Sequence, residues 1–133
     1  MKSRRSAKPG FTVLELVIVA AVAALMLVLF FVQKTNLDAM NRDDARKTAI
    51  NAMYYALEEG YYAEHGYYPE ELSEQVLTVI DPALFTDPDG YYLNSEGSSY
   101  TYEATNCKEG KCKSYSLHAE LEKEDVYLKR NRN

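Results

Sequence analysis

The chain has 133 residues and a formal net charge of −5 at pH 7, which suits one small domain plus an extra apolar segment. The charge is uneven, because the first ten residues carry four basic side chains and no acid, whereas residues 33–133 carry 11 basic and 19 acidic side chains. An acidic region of this kind is repelled by phosphates, so direct nucleic-acid binding is not expected. The sequence also lacks a phosphate-binding glycine loop and a Ser/His/Asp order typical of hydrolases, so an enzyme is not expected.

A long apolar run follows the basic residues. Leu16 to Val32 is unbroken, and residues 11–32 contain only Thr12 and Glu15 as polar side chains. As a helix, residues 11–32 would rise about 33 Å, enough to cross a hydrocarbon core of about 30 Å. A cleaved secretory signal is the alternative, but the sequence "QKTNLDAM" after the run has no small-residue cleavage pattern. The basic leader favours a cytoplasmic N-terminus, so the run is predicted to be a retained single-pass span.

The junction between leader and span has an ordered motif. In "PGFTVLELVI", residues 9–18, a glycine precedes an aromatic residue. Counting that aromatic residue as the first, the fifth residue is a glutamate. This stretch resembles the class III signal of type IV prepilins and of the pseudopilins of type II secretion. The resemblance implies that a membrane prepilin peptidase removes residues 1–10 by cutting between Gly10 and Phe11 and N-methylates Phe11. The apolar helix then stays on the mature protein.

Glu15 needs a physical reason, because a carboxylate inside an apolar span is costly. The resemblance implies that Glu15 of one subunit meets the cationic amine of Phe11 of another when helices pack side by side in a homopolymer. Pairing removes the penalty of an unpaired carboxylate at low dielectric and fixes the axial register. The alternative is that Glu15 lies at the membrane interface and contributes little.

The helix is predicted to continue through residues 33–59, where there is no Gly or Pro. Apolar residues recur there at spacings of three to five, which is typical of an amphipathic helix packed on one side. Gly60 is the predicted stop. No proline lies between Pro9 and Pro69, so no break is expected near Val32. The predicted inward residues are Leu37, Met40, Ala45, Ala49, Ile50, Met53 and Leu57.

Residues 60–98 are predicted to form a connecting region. "GYYAEHGYYPEEL" (residues 60–72) resembles the loop that follows the long helix in many pilins and pseudopilins. Residues 70–80 suggest a short second helix with Leu72, Val76, Leu77 and Ile80 inward, and "DPDG" (residues 87–90) suits a type I turn. The acids Asp81, Asp87, Asp89 and Glu96 could suggest calcium, but loop acids are more often solvated surface, so no metal or cofactor is assigned.

Residues 99–129 have the period of two expected of strands with one wet face. In residues 99–105, Tyr100, Tyr102 and Ala104 share one face. In residues 114–122, Tyr115, Leu117, Ala119 and Leu121 are predicted inward, and residues 125–129 suggest a third strand. A long helix laid on a small antiparallel sheet is an α+β architecture, and it is the pilin fold that the resemblance implies. Residues 130–133 are predicted to be a tail whose last three residues are frayed.

Cys107 and Cys112 flank "KEGK" between two predicted strands. A hairpin would bring them opposite each other, and a region outside the cytoplasm allows a disulfide. Two free thiols or half of a metal site are the alternatives. Zinc is not favoured, because His65 and His118 are far apart in the sequence and there is no second cysteine pair.

Three functions agree with these features. The first is a structural subunit of a type IV pilus for motility, adhesion or DNA uptake, held in the cell membrane and then extracted into an extracellular filament by a membrane assembly platform. The second is a pseudopilin of a type II secretion or competence system. The third is a single-pass membrane protein whose outer domain binds a partner without any processing at Gly10.

Overall fold

The computed structural model describes residues 10–133, so residues 1–9 of the predicted leader lie outside the described residues. The described residues fall into two compact units, one ending at Leu37 and the other running Asp38–Asn133, which we call the head. Helix α1, Val13–Tyr55, is one uninterrupted helix, as the absence of proline in this region predicts. It begins two residues later than predicted, because Thr12 caps its first turn.

The helical stretch ends later than predicted. A π-helical turn, Ala56–Tyr61, follows α1 and leads into α2, Tyr62–His65. The prediction of a stop at Gly60 is wrong, since this glycine lies inside the π-helical turn. Gly66 ends the helix instead, with a left-handed φ of 74° and its N–H donating to the Tyr62 carbonyl at 2.8 Å. Tyr61 and Tyr62 pack against the core, which extends the stretch past Gly60.

The connecting region is more irregular than predicted. Residues 70–80 form turns and not a second helix, although Leu72 and Leu77 are buried and face inward as expected. A short 3₁₀ helix, Pro82–Phe85, comes after them, and the Asp81 side chain caps it by accepting the Ala83 N–H at 2.9 Å. The predicted turn at residues 87–90 is present, with the Gly90 N–H donating to the Asp87 carbonyl at 3.0 Å.

The head contains a four-stranded antiparallel sheet: β1 Tyr68–Pro69, β2 Tyr100–Lys108, β3 Lys111–Ala119 and β4 Tyr127–Arg130. β3 is central, with β2 along one side and β1 and β4 sharing the other. The three predicted strands are confirmed with shifted ends. The two-residue β1 was missed because it is too short to show a period.

The core of the head lies between the sheet and the last turns of α1. The buried side chains of the helix include Ile50, Met53 and Leu57, and those of the sheet include Tyr100 and Leu117. The predicted α+β arrangement of a long helix and a small antiparallel sheet is confirmed. In the predicted inward stripe, Leu37, Met40 and Ala45 are wrong, because all three are exposed.

The C-terminal tail also differs from its prediction. The Asn131 side chain accepts the Tyr115 N–H at 3.1 Å. The Arg132 N–H donates to Glu58 at 3.2 Å, and its guanidinium donates to the Tyr54 hydroxyl at 2.9 Å. The tail is therefore held against the head by hydrogen bonds that sequence patterns do not reveal.

Candidate functional site

The N-terminal part of α1 is apolar on every side. Each large apolar side chain from Phe11 to Val32 is at least half exposed, from 50% for Val22 to 84% for Val13. Helical residues 13–32 rise about 30 Å, so this stretch could span a membrane by its length and composition. A helix that is apolar all round needs lipid or other helices around it.

The start of the helix is organised by Thr12. Its hydroxyl oxygen accepts the Glu15 N–H at 3.2 Å, and its carbonyl accepts the Leu16 N–H at 3.1 Å. Thr12 and Glu15 therefore have the spacing of a capping box, and the carboxylate lies in the first turn, where the helix dipole favours negative charge. Within residues 10–133 the Glu15 carboxylate makes no hydrogen bond or ion pair of its own.

The predicted processing residues lie together just before this turn. Gly10 and Phe11 are both exposed and precede the helix. A Cβ placed on Gly10 would meet no atom within 4 Å, so the described fold does not require glycine at this position. The structure thus brings Gly10, Phe11 and Glu15 into one exposed segment, and it gives Gly10 no packing role.

The predicted disulfide between Cys107 and Cys112 is confirmed. The two cysteines are direct partners in the register of β2 and β3. The turn between them uses left-handed backbone at Glu109 and Gly110, with φ of 51° and 77°, which is typical of a tight hairpin. Cys112 is buried and is also paired with Tyr68 of β1, so the disulfide secures the point where three strands meet.

An ion cluster around a buried arginine, which the sequence analysis missed, lies between α1 and two loops of the head. The Arg46 guanidinium donates to Asp43 at 2.9 Å, to Glu122 at 2.8 Å and to Asp89 at 2.6 Å. Asp43 and Arg46 are each only 2% exposed. We call Asp43, Arg46, Asp89 and Glu122 the Arg46 cluster. Its two loop carboxylates come from distant parts of the chain and converge on one helical position.

The acids around this cluster are stabilised as carboxylates. Burial acts to raise the pKa of Asp43, but the backbone N–H groups of Glu122 and Lys123 and the Arg46 guanidinium outweigh it and lower that pKa. Hydrogen bonds from Arg42 and Arg46 lower the pKa of Glu122 to about 2. Asp87 likewise has a lowered pKa despite its burial, because the N–H groups of Ser99, Tyr91 and Asp89 and the Ser99 hydroxyl bind it.

A third buried acid, Glu58, lies in the π-helical turn. It accepts the hydroxyl of Tyr115 at 2.9 Å and that of Tyr68 at 3.2 Å. Burial, together with the negative charge of Glu58, raises the pKa of Tyr68 to about 12 and raises the pKa of Tyr115 further. The hydroxyls stay protonated and hold the helix to β1 and β3.

Three of the four loop acids considered for calcium have partners within the protein. Asp81 caps the 3₁₀ helix, Asp87 binds backbone N–H groups, and Asp89 binds Arg46. Among the described residues there is no group of three or more His, Cys, Asp or Glu side chains that could hold a metal ion.

A local signal for the Arg46 cluster was present in the sequence. Asp43 and Arg46 are three residues apart, the spacing of a helical ion pair, and they continue the buried stripe of Ile50, Met53 and Leu57 toward the N-terminus. Their loop partners gave no such signal, because no periodicity relates positions 89 and 122 to the helix.

Comparisons of the chain with protein-family models, with curated proteins and with solved structures found no match.

Proposed function

We propose that the chain is a structural subunit of a type IV pilus, polymerised through its N-terminal helix. One observation carries the proposal: the N-terminal part of α1, which is apolar and exposed on all sides, has a single acid in its first turn, four residues after Phe11. In an ordinary membrane anchor this acid would serve only the start of the helix, through capping and the helix dipole. A filament core built of such helices gives it a partner.

The proposed mechanism starts with removal of residues 1–10 by a prepilin peptidase. Cleavage after Gly10 leaves a cationic amine on Phe11, and N-methylation keeps that charge. Glu15 of one subunit then pairs with the Phe11 amine of its neighbour. An unpaired carboxylate in an apolar bundle costs several kcal/mol, so subunits in the paired register are favoured over slipped ones.

The head has a separate role in this proposal. It stays on the outer side of the membrane, where the disulfide between Cys107 and Cys112 persists, and it covers the filament after assembly. A membrane assembly platform, driven by a cytoplasmic ATPase, would extract the subunit from the membrane. The net negative charge of residues 33–133 favours heads that remain soluble until the helices bring them together.

A pseudopilin of a type II secretion or competence system is the second candidate. It uses the same helix and the same Glu15 chemistry in a short filament. The Tyr68–Pro69 segment after the long helix and the turn at residues 87–90 favour it. Long filaments released from the cell surface by shear would favour the pilus, and filaments confined to the cell envelope would favour the pseudopilus.

Substitution of Glu15→Gln tests the shared mechanism of both candidates. We expect the variant to remain in the membrane with a folded head and to form no filaments, because the amide has no charge to neutralise the Phe11 amine. The measurement is the amount of subunit in the sheared fraction and in the membrane fraction of cells that carry the assembly machinery.

The matched control is Asp44→Asn, which removes one negative charge from an exposed position of the same helix. Asp44 belongs to the head, so its variant should assemble as the parent does. Normal filament yield from the Glu15→Gln variant would contradict the proposed role of this acid.

A further inference from the structure

One side of β2 has no strand partner among the described residues. β2 pairs with β3 along one edge only, and along its regular part the other edge carries the backbone groups of every second residue: Tyr100, Tyr102 and Ala104. An open edge of this kind is a template for pairing with another chain. The backbone groups at the start of this edge, however, are already bonded.

Asn94 forms hydrogen bonds with most of the outward backbone groups at the start of β2. Its backbone N–H donates to the Tyr100 carbonyl at 3.1 Å. Its side-chain amide donates to the Tyr102 carbonyl at 3.0 Å and accepts the Tyr102 N–H at 2.8 Å. The amide therefore exchanges two hydrogen bonds with Tyr102, as a residue of a neighbouring antiparallel strand would.

Two neighbouring features further limit which backbone groups of this edge of β2 remain open. The Ser98 hydroxyl accepts the Tyr100 N–H at 3.1 Å, so both backbone groups of Tyr100 are bonded. At the far end, Asn106 has a φ of 57°, which is incompatible with an extended strand partner at that position. Between Tyr102 and Asn106 lies Ala104, whose outward backbone groups make no hydrogen bond within residues 10–133.

The backbone conformation of Asn94 agrees with a role in binding the open edge of β2. Its φ of 61° places it in the left-handed region, which costs most side chains free energy and which Asn tolerates better than most. The residue is exposed, so burial of its side chain does not explain its position. The hydrogen bonds between its side-chain amide and the edge of β2 explain that position.

We propose that Asn94 is an edge guard: its side chain takes the place of a neighbouring strand on β2 and prevents β2 of a second copy from pairing there. The same edge on two copies is self-complementary in an antiparallel arrangement. In a proposed filament, where heads are crowded, such pairing would compete with assembly through the helices. The inference concerns the head alone and does not depend on the proposed function.

The test uses the full-length chain in nonionic detergent, with Glu15→Gln present in every sample so that helix-driven assembly does not contribute. Asn94→Gly removes the amide and permits the left-handed backbone. At concentrations low enough to keep the variant monomeric, we expect amide hydrogen exchange at Tyr102 to rise by about tenfold or more, because the hydrogen bond from its N–H to the Asn94 side chain is lost. We also expect dimers or larger species by sedimentation velocity at concentrations where the parent sediments as one species.

Asn106→Gly is the matched control. It makes the same change at a second left-handed asparagine, which lies in β2 itself and whose side chain makes no hydrogen bond within the described residues, and it should alter neither measurement. Adding Ala104→Pro to the Asn94→Gly variant removes an outward N–H and should restore the parental sedimentation, since proline blocks strand addition at an edge.

Three results of the exchange and sedimentation measurements would overturn the proposal. They are unchanged exchange at Tyr102, unchanged sedimentation despite faster exchange, and association that Ala104→Pro does not reverse. Loss of the native near-ultraviolet circular dichroism in both Asn94→Gly and Asn94→Asp would also overturn it, because Asn94 would then be required for folding and not for protection of the edge.

Discussion

The guanidinium of Arg46 is almost fully buried and is surrounded by carboxylates from three parts of the chain. Removing one partner from a buried, hydrogen-bonded ion cluster costs about 3–5 kcal/mol, because the opposite charge is left without compensation. Arg42, one helical turn earlier, donates to the same Glu122 but is 39% exposed in its side chain. Exposed ion pairs contribute about 0–1 kcal/mol. The two arginines thus share a partner and differ in burial.

This difference gives a first prediction at the scale of the residue. Arg46→Met should lower the free energy of unfolding of the head by about 3–5 kcal/mol, because Asp43 becomes a buried acid without its cation. Arg42→Met is the control and should cost much less, because its ion pair with Glu122 is exposed to solvent. Urea unfolding of the full-length chain in detergent, followed by the near-ultraviolet signal of the tyrosines, measures both. Equal losses would show that burial of Arg46 does not decide its contribution.

At the scale of elements, charged side chains fasten the connection between β3 and β4 to α1. Asp43 accepts the backbone N–H groups of Glu122 and Lys123 at 2.8 and 2.9 Å. Lys47 donates to the Glu124 carboxylate at 2.7 Å. The connection is therefore held by hydrogen bonds to one face of the helix, and not by apolar packing alone.

The attachment predicts how the head responds to acid. The pKa of Glu122 is about 2 in the folded state, against its usual value of 4.5. Between these two values the unfolded chain binds a proton at this position and the folded chain does not. Stability from Glu122 is therefore complete above about pH 4.5 and is lost as the pH falls toward 2.

Glu122→Gln should remove that part of the pH dependence. The expected result is a smaller change in the urea midpoint between pH 4.5 and 2 than in the parent, measured on the full-length chain in detergent. Glu120→Gln is the control, since Glu120 is exposed and its carboxylate makes no ion pair within the described residues; it should keep the parental dependence. A parental slope in the Glu122→Gln variant would show that the Arg46 cluster does not lower the pKa of this acid.

The elements that the sequence predicted are those with a repeated local pattern. Tyr115, Leu117 and Ala119 alternate along β3 and are buried as expected. The long helix was likewise predictable, because its hydrophobic residues and the absence of proline act over many turns. The end of the helix at Gly66 could not be predicted, since Gly60 is an equally good local stop signal. Only the packing of Tyr61 and Tyr62 against the core decides between the two glycines.

The candidate site was predictable in one part and hidden in another. Gly10, Phe11 and Glu15 form a local motif that can be read from their order alone. The Arg46 cluster and the guard at Asn94 depend on contacts between distant segments, and the buried charges at positions 43 and 46 resemble solvent-exposed residues in a hydrophobicity pattern. Sequence periodicity assigns faces to elements, but it does not state which polar side chains meet across them.

At the scale of the whole molecule, the chain joins a segment that needs an apolar environment to a head that has its own core. The apolar segment has no covering side chains within residues 10–133, whereas the head buries a continuous hydrophobic cluster. The proposed function requires these two parts to separate from a basic leader at one peptide bond. The junction at Gly10 is therefore where the proposal for the whole molecule can be tested without disturbing either part.

The substitution Gly10→Val tests whether the chain is cleaved at this junction. A side chain at position 10 has open space around it, and its backbone is not left-handed, so the head and the helix should fold as before. We expect mass spectrometry of the parent, expressed with a prepilin peptidase, to find a chain that begins at Phe11 and carries one methyl group on its amine. The Gly10→Val chain should keep Met1 and form no filaments. Gly60→Ala, another glycine with open space and no left-handed backbone, is the control and should be processed like the parent. An intact leader on the parent chain would instead favour a simple membrane-anchored domain, because the Phe11 amine that is proposed to pair with Glu15 would never form.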